Sequence, residues 1–226
     1  MMAFAAIPLL QDIPADIAHR HAEAMRVIEA QPGQLMLDFE DVSDDVFFVL
    51  SGAVRVQVRT VGGRELILSD ILAGQIFGDM AAIDGAPRSA SVTALQRARL
   101  ARMGGTAFRR LLAEWPDLAL RLMRVLVARI RDVNARMLEF STLDVRHRLY
   151  AELLRAAGSA RADGTRLISP PPMQHIIANR IGARREAVSR EMARLLREGI
   201  LLRRRGALVL CRPDVLEAAL AGMLNR

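Results

Sequence analysis

The stretch Gly74 to Ala94, Gly-Gln-Ile-Phe-Gly-Asp-Met-Ala-Ala-Ile-Asp-Gly-Ala-Pro-Arg-Ser-Ala-Ser-Val-Thr-Ala, carries the residue types of an anion pocket. Phe77-Gly78-Asp79 opens a short helical turn whose first amides have no intrahelical acceptor and can face a negative ligand. Gly78, without a side chain, lets that ligand come close. Arg88, after the Pro87 turn, offers a forked cation suited to phosphate, and the Ser89 hydroxyl stands beside it. Asp79 cannot favour phosphate itself; it can accept from a sugar hydroxyl carried by the same molecule. A chance Pro-Arg-Ser hairpin is the bland alternative, and it leaves the rest of the block unexplained.

A second set lies near the C-terminus. Met173 to Asn179 reads as a short helix, Arg180-Ile181-Gly182-Ala183 as a tight turn and Arg184 to Glu198 as a longer helix, which is helix-turn-helix spacing. Ile176, Ile177, Ile181, Val188, Met192 and Leu195 form a small core between them. Arg185, Glu186, Ser189 and Arg190 remain at the outer start of the second helix, where base edges are read. Arg203-Arg204-Arg205-Gly206, between Ile200-Leu201-Leu202 and Ala207-Leu208-Val209-Leu210, reads as a hairpin wing with its charges near a nucleic-acid backbone. From Pro170 onward there are eleven arginines against five acidic residues, so most of the net charge of +7 sits here.

The first block resembles the phosphate-binding cassette of cyclic-nucleotide-binding domains, whose pattern is Phe-Gly-Glu, an apolar residue, Ala, then Pro-Arg-Ser/Thr/Ala-Ala. Met80 takes the apolar position, and Asp79 stands where that family usually has Glu. Arg185-Glu186-Ala187-Val188-Ser189-Arg190 resembles the recognition helix of the catabolite activator and fumarate–nitrate regulator family, which docks by this motif. Phe47 to Val54 is similar to a strand–glycine–strand corner of the same family, and Leu143-Asp144-Val145 to its hinge. On these motifs the chain is identified as a member of the Crp/Fnr regulators.

That resemblance implies an α+β fold: an N-terminal antiparallel β-roll with flanking helices over 1–115, a dimerisation helix over 116–140, and a winged helix-turn-helix over 141–226. It implies cAMP or cGMP as allosteric ligand, held by Phe77, Gly78, Asp79, Met80, Arg88 and Ser89, with Asn134 reaching the base. The family position beside Asn134 is Val133 here, which cannot hydrogen-bond. Arg185 and Arg190 would donate to guanine O6/N7, Glu186 would accept from cytosine N4, and Ser189 would hold phosphate. The implied partners are a near-palindromic double-stranded operator, a second copy of the chain and RNA polymerase; no metal and no membrane are expected.

The elements that must position these groups are legible in outline. Ile13 to Ala30 reads as one cover helix. Short strands follow at Leu35/Leu37/Phe39, Val46–Leu50, Val54/Val56/Val58, Leu66/Leu68 and Leu100/Met103, with turns at Gly33, Gly52, Gly62-Gly63 and Gly74. Thr106 is expected to cap a helix through Leu112, and Trp115-Pro116-Asp117 to break it. Met123, Leu126, Ile130, Val133, Met137 and Phe140 then repeat at 3 and 4, a heptad seam for a parallel homodimer, with Leu118, Leu122 and Val125 as a strip against the chain's own roll. Ser141 to Asp144 links to a helix from Val145 to about Ala157, and the next stretch reads as a loop.

One cysteine, Cys211, excludes an internal disulfide framework and a four-thiolate cluster within the chain. The four histidines are expected at the surface or in caps. No apolar run reaches the roughly 18 residues of a membrane span, and no charged leader opens the chain, so the cytoplasm is expected. No nucleophile–base–orienter set can be assembled, which argues against an enzyme. Two other readings are a regulator of the same fold that senses haem or redox state or needs no ligand, and a module that binds a partner protein rather than DNA.

Overall fold

The computed structural model describes residues 7–59 and 65–224. Strand β3 follows β1 (Met25–Ala30) and β2 (Leu35–Leu37) and spans Val46–Ser51; Val46-Phe47-Phe48-Val49 is buried at every position, as in a strand covered on both faces. Phe47 and Val49 join the core between two sheets, with Val92 and Leu100, whereas Val46 and Phe48 join the core on the helix side, with Phe108 and Leu111.

The two sheets are antiparallel. β4 (Ala53–Arg59), β5 (Glu65–Leu72), β6 (Ile76–Phe77), β7 (Ser91–Ala94) and β8 (Ala98–Met103) complete them in the orders β1-β8-β3-β6 and β2-β7-β4-β5. Between β6 and β7 lies α2 (Asp79–Asp84), preceded in the chain by α1 (Ala15–His21). The expected antiparallel roll is therefore present. Gly33, Gly52 and Gly74 take left-handed φ, and the Gly62-Gly63 turn lies outside the described residues.

The single cover helix is not formed. The chain makes α1, a short 3-10 turn over Ala22–Ala24, and then β1, which pairs with β8 from Met25↔Met103 to Ala30↔Ala98. The β-branched Val27 and Ile28 suit that edge position, and the ladder with β8 outweighs a weak helical spacing. Thr106 is likewise not a cap: α3 (Gly105–Glu114) starts after Gly104, its Gly105 amide faces Asp44 Oδ1 at 3.4 Å, and the Thr106 hydroxyl accepts from Arg109.

Trp115 ends α3 and Pro116 opens α4 (Pro116–Thr142). Leu118 and Leu122 are buried in the helix-side core and Leu126 packs against it, so the expected seam loses Leu126 to the chain's own roll. Val127 takes its place outside, with Leu120, Met123, Ile130, Val133, Met137 and Phe140 all exposed. The exposed apolar stripe therefore keeps Met123, Ile130, Val133, Met137 and Phe140 of the expected line and departs from it at Leu126.

The chain divides into two compact units, 1–129 and 130–226, so the division falls within α4. In the second, α5 (Val145–Ala156) is capped by Asp144, which accepts from the His147 amide at 2.9 Å. The stretch read as a loop contains β9 (Arg166–Ile168), which pairs with β11 (Ala207–Leu210), itself paired with β10 (Leu201–Arg204). α6 (Gln174–Arg180), α7 (Arg185–Arg197) and α8 (Pro213–Leu224) complete a winged helix-turn-helix. Ile177, Ile181, Val188, Met192 and Leu195 are buried as expected, while Ile176 is half-buried. Among the described residues no helix is long and apolar enough to cross a membrane.

Phe48→Ala is expected to cost about 3–5 kcal/mol, most of a marginal domain's stability. Urea unfolding followed by Trp115 fluorescence, in the same cluster as Phe48, measures it; a change below about 1 kcal/mol would contradict this placement.

Candidate ligand pocket and nucleic-acid interface

A cavity of about 190 Å³ opens in the roll, walled by apolar residues such as Leu37, Val56, Ile71 and Val92 and by Phe77 to Ala81, Arg88, Ser89 and Arg129. Arg88 is only 3% exposed. Its Nε donates to Ser43 Oγ at 3.0 Å, Nη1 to the Gly78 carbonyl at 2.9 Å and Nη2 to the Asp45 carbonyl at 2.9 Å. All three acceptors are neutral, and among the described residues no carboxylate bonds this guanidinium. Two of its five N–H groups are left without an acceptor there. Burial pulls its pKa below the usual arginine value, opposed at longer range by Asp45, Asp41 and Asp44. A buried cation so placed favours an incoming anion.

Asp79 is 2% exposed and is bonded from α4: Arg129 Nη1 donates to both carboxylate oxygens, at 3.1 and 2.9 Å, and Arg129 Nη2 donates to the Ile76 carbonyl. A carboxylate has about four acceptor sites, so Asp79 keeps capacity for a hydroxyl. Sequence reading missed Arg129, although a signal existed. It lies three residues beyond Leu126 on the strip that faces the roll, where an arginine needs a partner.

Gly78 has φ +78°, and a Cβ there would stand 2.6 Å from the Asp45 carbonyl and 3.0 Å from Arg88 Nη1. Its missing side chain thus clears room for Arg88 and the turn rather than for a ligand. Phe77 stacks on Phe47 with centroids 4.9 Å apart and is part of the core as well as the cavity wall. Met80 and Ser89 are exposed, with the Ser89 hydroxyl against Met80 Sδ at 3.8 Å. Asn134 is exposed on α4, belongs to the second unit, and its side chain makes no hydrogen bond among the described residues.

On α7, Arg185, Glu186 and Arg190 are exposed and Ser189 is half-buried. Arg184, Arg185, Arg190 and Arg197, like Arg203, Arg204 and Arg205 of the wing, have no acceptor among the described residues. Other arginines of this unit are neutralised, including Arg146 by Glu191, Arg166 by Glu217 and Arg194 by Glu191 and Glu198. Uncompensated charge therefore lies on the start of α7 and on the wing, with Arg197 at the helix end, where a phosphate backbone could meet the first two.

The histidines do not all lie at the surface. His21 is buried, 3.2 Å from Glu114 Oε2, whereas His147 joins the Asp144 cap. Among the described residues no group of three or more His, Cys, Asp or Glu is placed to hold a metal.

Residues 27–114 match the cyclic nucleotide-binding domain and residues 147–219 the Crp-like helix-turn-helix domain. The CRP-like cAMP-activated global transcriptional regulator of Mycobacterium tuberculosis is 30% identical over 158 residues, 69% of this chain and 70% of that one. The cyclic AMP receptor protein of Thermus thermophilus is 27% identical over 161 residues, 71% and 72% of the two chains. A CooA variant from Carboxydothermus hydrogenoformans has a TM-score of 0.77 at 20% identity, covering 92% of this chain and 91% of that one. The c-di-GMP responsive global regulator CLP of Xanthomonas campestris has 0.74 at 19%, covering 87% and 99%. Those two similarities show the fold alone.

A cyclic nucleotide-binding roll joined to a Crp-like helix-turn-helix defines a class of transcription regulators. The chain belongs to the Crp/Fnr family.

Arg129→Leu leaves the Asp79 carboxylate buried without its cation. A loss of about 3 kcal/mol is expected, read as a lowered midpoint in chemical denaturation; an unchanged midpoint would show that the pair contributes nothing.

Proposed function

We propose that the chain works as a homodimer that reads a near-palindromic DNA operator and is set by a cyclic nucleotide, cAMP or cGMP, at the roll cavity. The observation that carries this reading is Arg88, a guanidinium 3% exposed at the cavity, bonded to neutral acceptors and holding two N–H groups in reserve. Arg88 and Ser89 would hold the phosphate, Asp79 a ribose hydroxyl, and Asn134 the base, with Phe77, Gly78 and Met80 shaping the wall. The nucleotide supplies a compact negative charge joined to a sugar hydroxyl.

At about 190 Å³ the cavity is smaller than the roughly 300–1,000 Å³ of ordinary ligand sites. A ligand that fills it would press on its wall, and Arg129, a wall residue, belongs to α4. A ligand that binds the opened wall better than the closed one shifts that helix by differential affinity.

For the dimer, the exposed residues Leu120, Met123, Val127 and Ile130 repeat at 3, 4 and 3 as in a two-helix seam, Val133 and Met137 extend the same apolar face, and a second copy carries the matching stripe. The pair would place two α7 helices at half-sites about one helical turn apart. We assign 1–115 to the ligand domain, 116–140 to dimerisation and 141–226 to DNA binding, with Arg185, Glu186 and Arg190 on base edges and Ser189 on phosphate. RNA polymerase is the further partner, the setting is the cytoplasm, and the role is regulation without catalysis. A second reading, regulation without ligand, draws on Asp79 being satisfied from within by Arg129.

Calorimetric titration with cAMP and with cGMP separates the two. Wild type should bind one of them and Ser89→Ala, at an exposed position, should bind about tenfold more weakly; Arg88→Leu should not bind measurably. Equal binding by all three proteins would remove the pocket assignment, and a silent wild type would favour regulation without ligand. On the DNA side, Arg185→Ala should lose about 1–3 kcal/mol of base discrimination, while Arg204→Ala should weaken all duplexes alike and lower the salt slope by about one. Anisotropy across a salt series distinguishes these outcomes.

A further inference from the structure

Tyr150, the only tyrosine in the chain, sits on α5 with its ring in the core of the second unit, 3% exposed. Its hydroxyl is engaged by two residues of α7 and by Arg146 of its own helix. It donates to Glu191 Oε1 at 2.5 Å and accepts from Arg194 Nη2 at 2.6 Å and from Arg146 Nε at 2.5 Å. Glu191 Oε1 also takes bonds from Arg194 Nη2 at 2.6 Å and from Arg146 Nε at 3.0 Å. Glu198, one turn further on, holds the other side of Arg194.

Protonation states suit this arrangement. Burial, helped by the bond to Glu191, pushes the Tyr150 hydroxyl pKa up, so its proton stays available to donate. Burial opposes ionisation of Glu191, but Arg194 and Tyr150 outweigh it and hold that carboxyl below its usual range. The cluster thus joins one charged carboxylate, one neutral hydroxyl and two cations.

Its place on α7 is what matters. Val188, Met192 and Leu195 hold the inner face of the helix by apolar contact, which is non-directional and permits rolling. Glu191 and Arg194 lie on the flank, immediately after Arg190. A roll of about 20° displaces a side-chain tip some 6 Å from the axis by about 2 Å, and a two-pronged contact with a base edge does not survive that. Directional bonds on the flank are what can stop it.

We propose that Tyr150 is a positioning residue for base recognition: through Glu191 and Arg194 it fixes the rotation of α7, so that Arg185 and Arg190 reach base edges in register. This rests on α7 reading DNA as set out above. The probe is a near-palindromic duplex enriched from a random library by the full-length wild type, beside duplexes with one base pair replaced in each half-site and an unrelated duplex.

Tyr150→Phe, which keeps the ring, and Glu191→Gln, which keeps the shape, should each lower the ratio of cognate to substituted affinity about fivefold. Affinity for the unrelated duplex and the salt slope should stay constant, with circular dichroism showing an intact fold. An unchanged ratio in both variants, or an equal loss on every duplex, would overturn the positioning role alone. Failure of wild type to enrich any sequence would overturn the DNA-reading assignment and this proposal with it.

Discussion

The Asp79 carboxylate, 2% exposed, needs a cation, and the fold supplies it from the long helix. Arg129 satisfies that carboxylate and the Ile76 carbonyl together, so one guanidinium fastens the start of α2 and the start of β6 to α4. Leu118 and Leu122 seat the same helix in the apolar core about two and three turns earlier. Burial gives α4 its footing without direction; the ion pair gives it a defined end point. Such a pair is a poor source of net stability, since desolvation offsets much of the attraction. Its strength is sensitivity, because a nearby charge in a low dielectric changes its value sharply.

Arg88 is the counterpart. Both arginines border one cavity, yet Arg129 faces a carboxylate and Arg88 faces only neutral oxygens. An anion beside Arg88 gains a partner at little expense to existing bonds, and it also acts on Asp79 by repulsion and on Arg129 by attraction. Under the proposed function, an anion in the pocket would act on a residue of α4 through charge. That is a differential interaction of the kind any ligand-driven shift requires.

How much of this was legible in the sequence followed from how local its cause was. The cassette, the helix-turn-helix and the wing are set by short blocks in which glycine, proline and apolar spacing dictate the backbone, and these were readable. β1 was not, because its formation depends on β8 some seventy residues away. The Arg129 partner lies fifty residues upstream, and His21 finds Glu114 at a separation of ninety-three. Gly78 was read as space for a ligand, whereas the neighbour that needs the space is Arg88, visible only once the loop from Asp41 to Asp45 is folded beside it. The slip from Leu126 to Val127 in the seam arose because the core claims every fourth residue from Leu118 before a partner can claim any.

The end of α4 carries the last step. Gly182, in the turn between α6 and α7, has φ +61°, and a Cβ there would stand 2.9 Å from Phe140 Cε1; Arg148 covers the same ring at 4.9 Å. Glu139 meets Arg155, and the buried Glu152 holds both Arg155 and Arg180. Leu143 is buried and Asp144 caps α5, so the segment resembling a hinge has little slack. The final turns of α4 are thus fastened by an aromatic contact and a chain of ion pairs to the turn that precedes α7. Displacement of those turns must carry α6 and α7 with it, since cooperative packing of this kind does not stretch continuously.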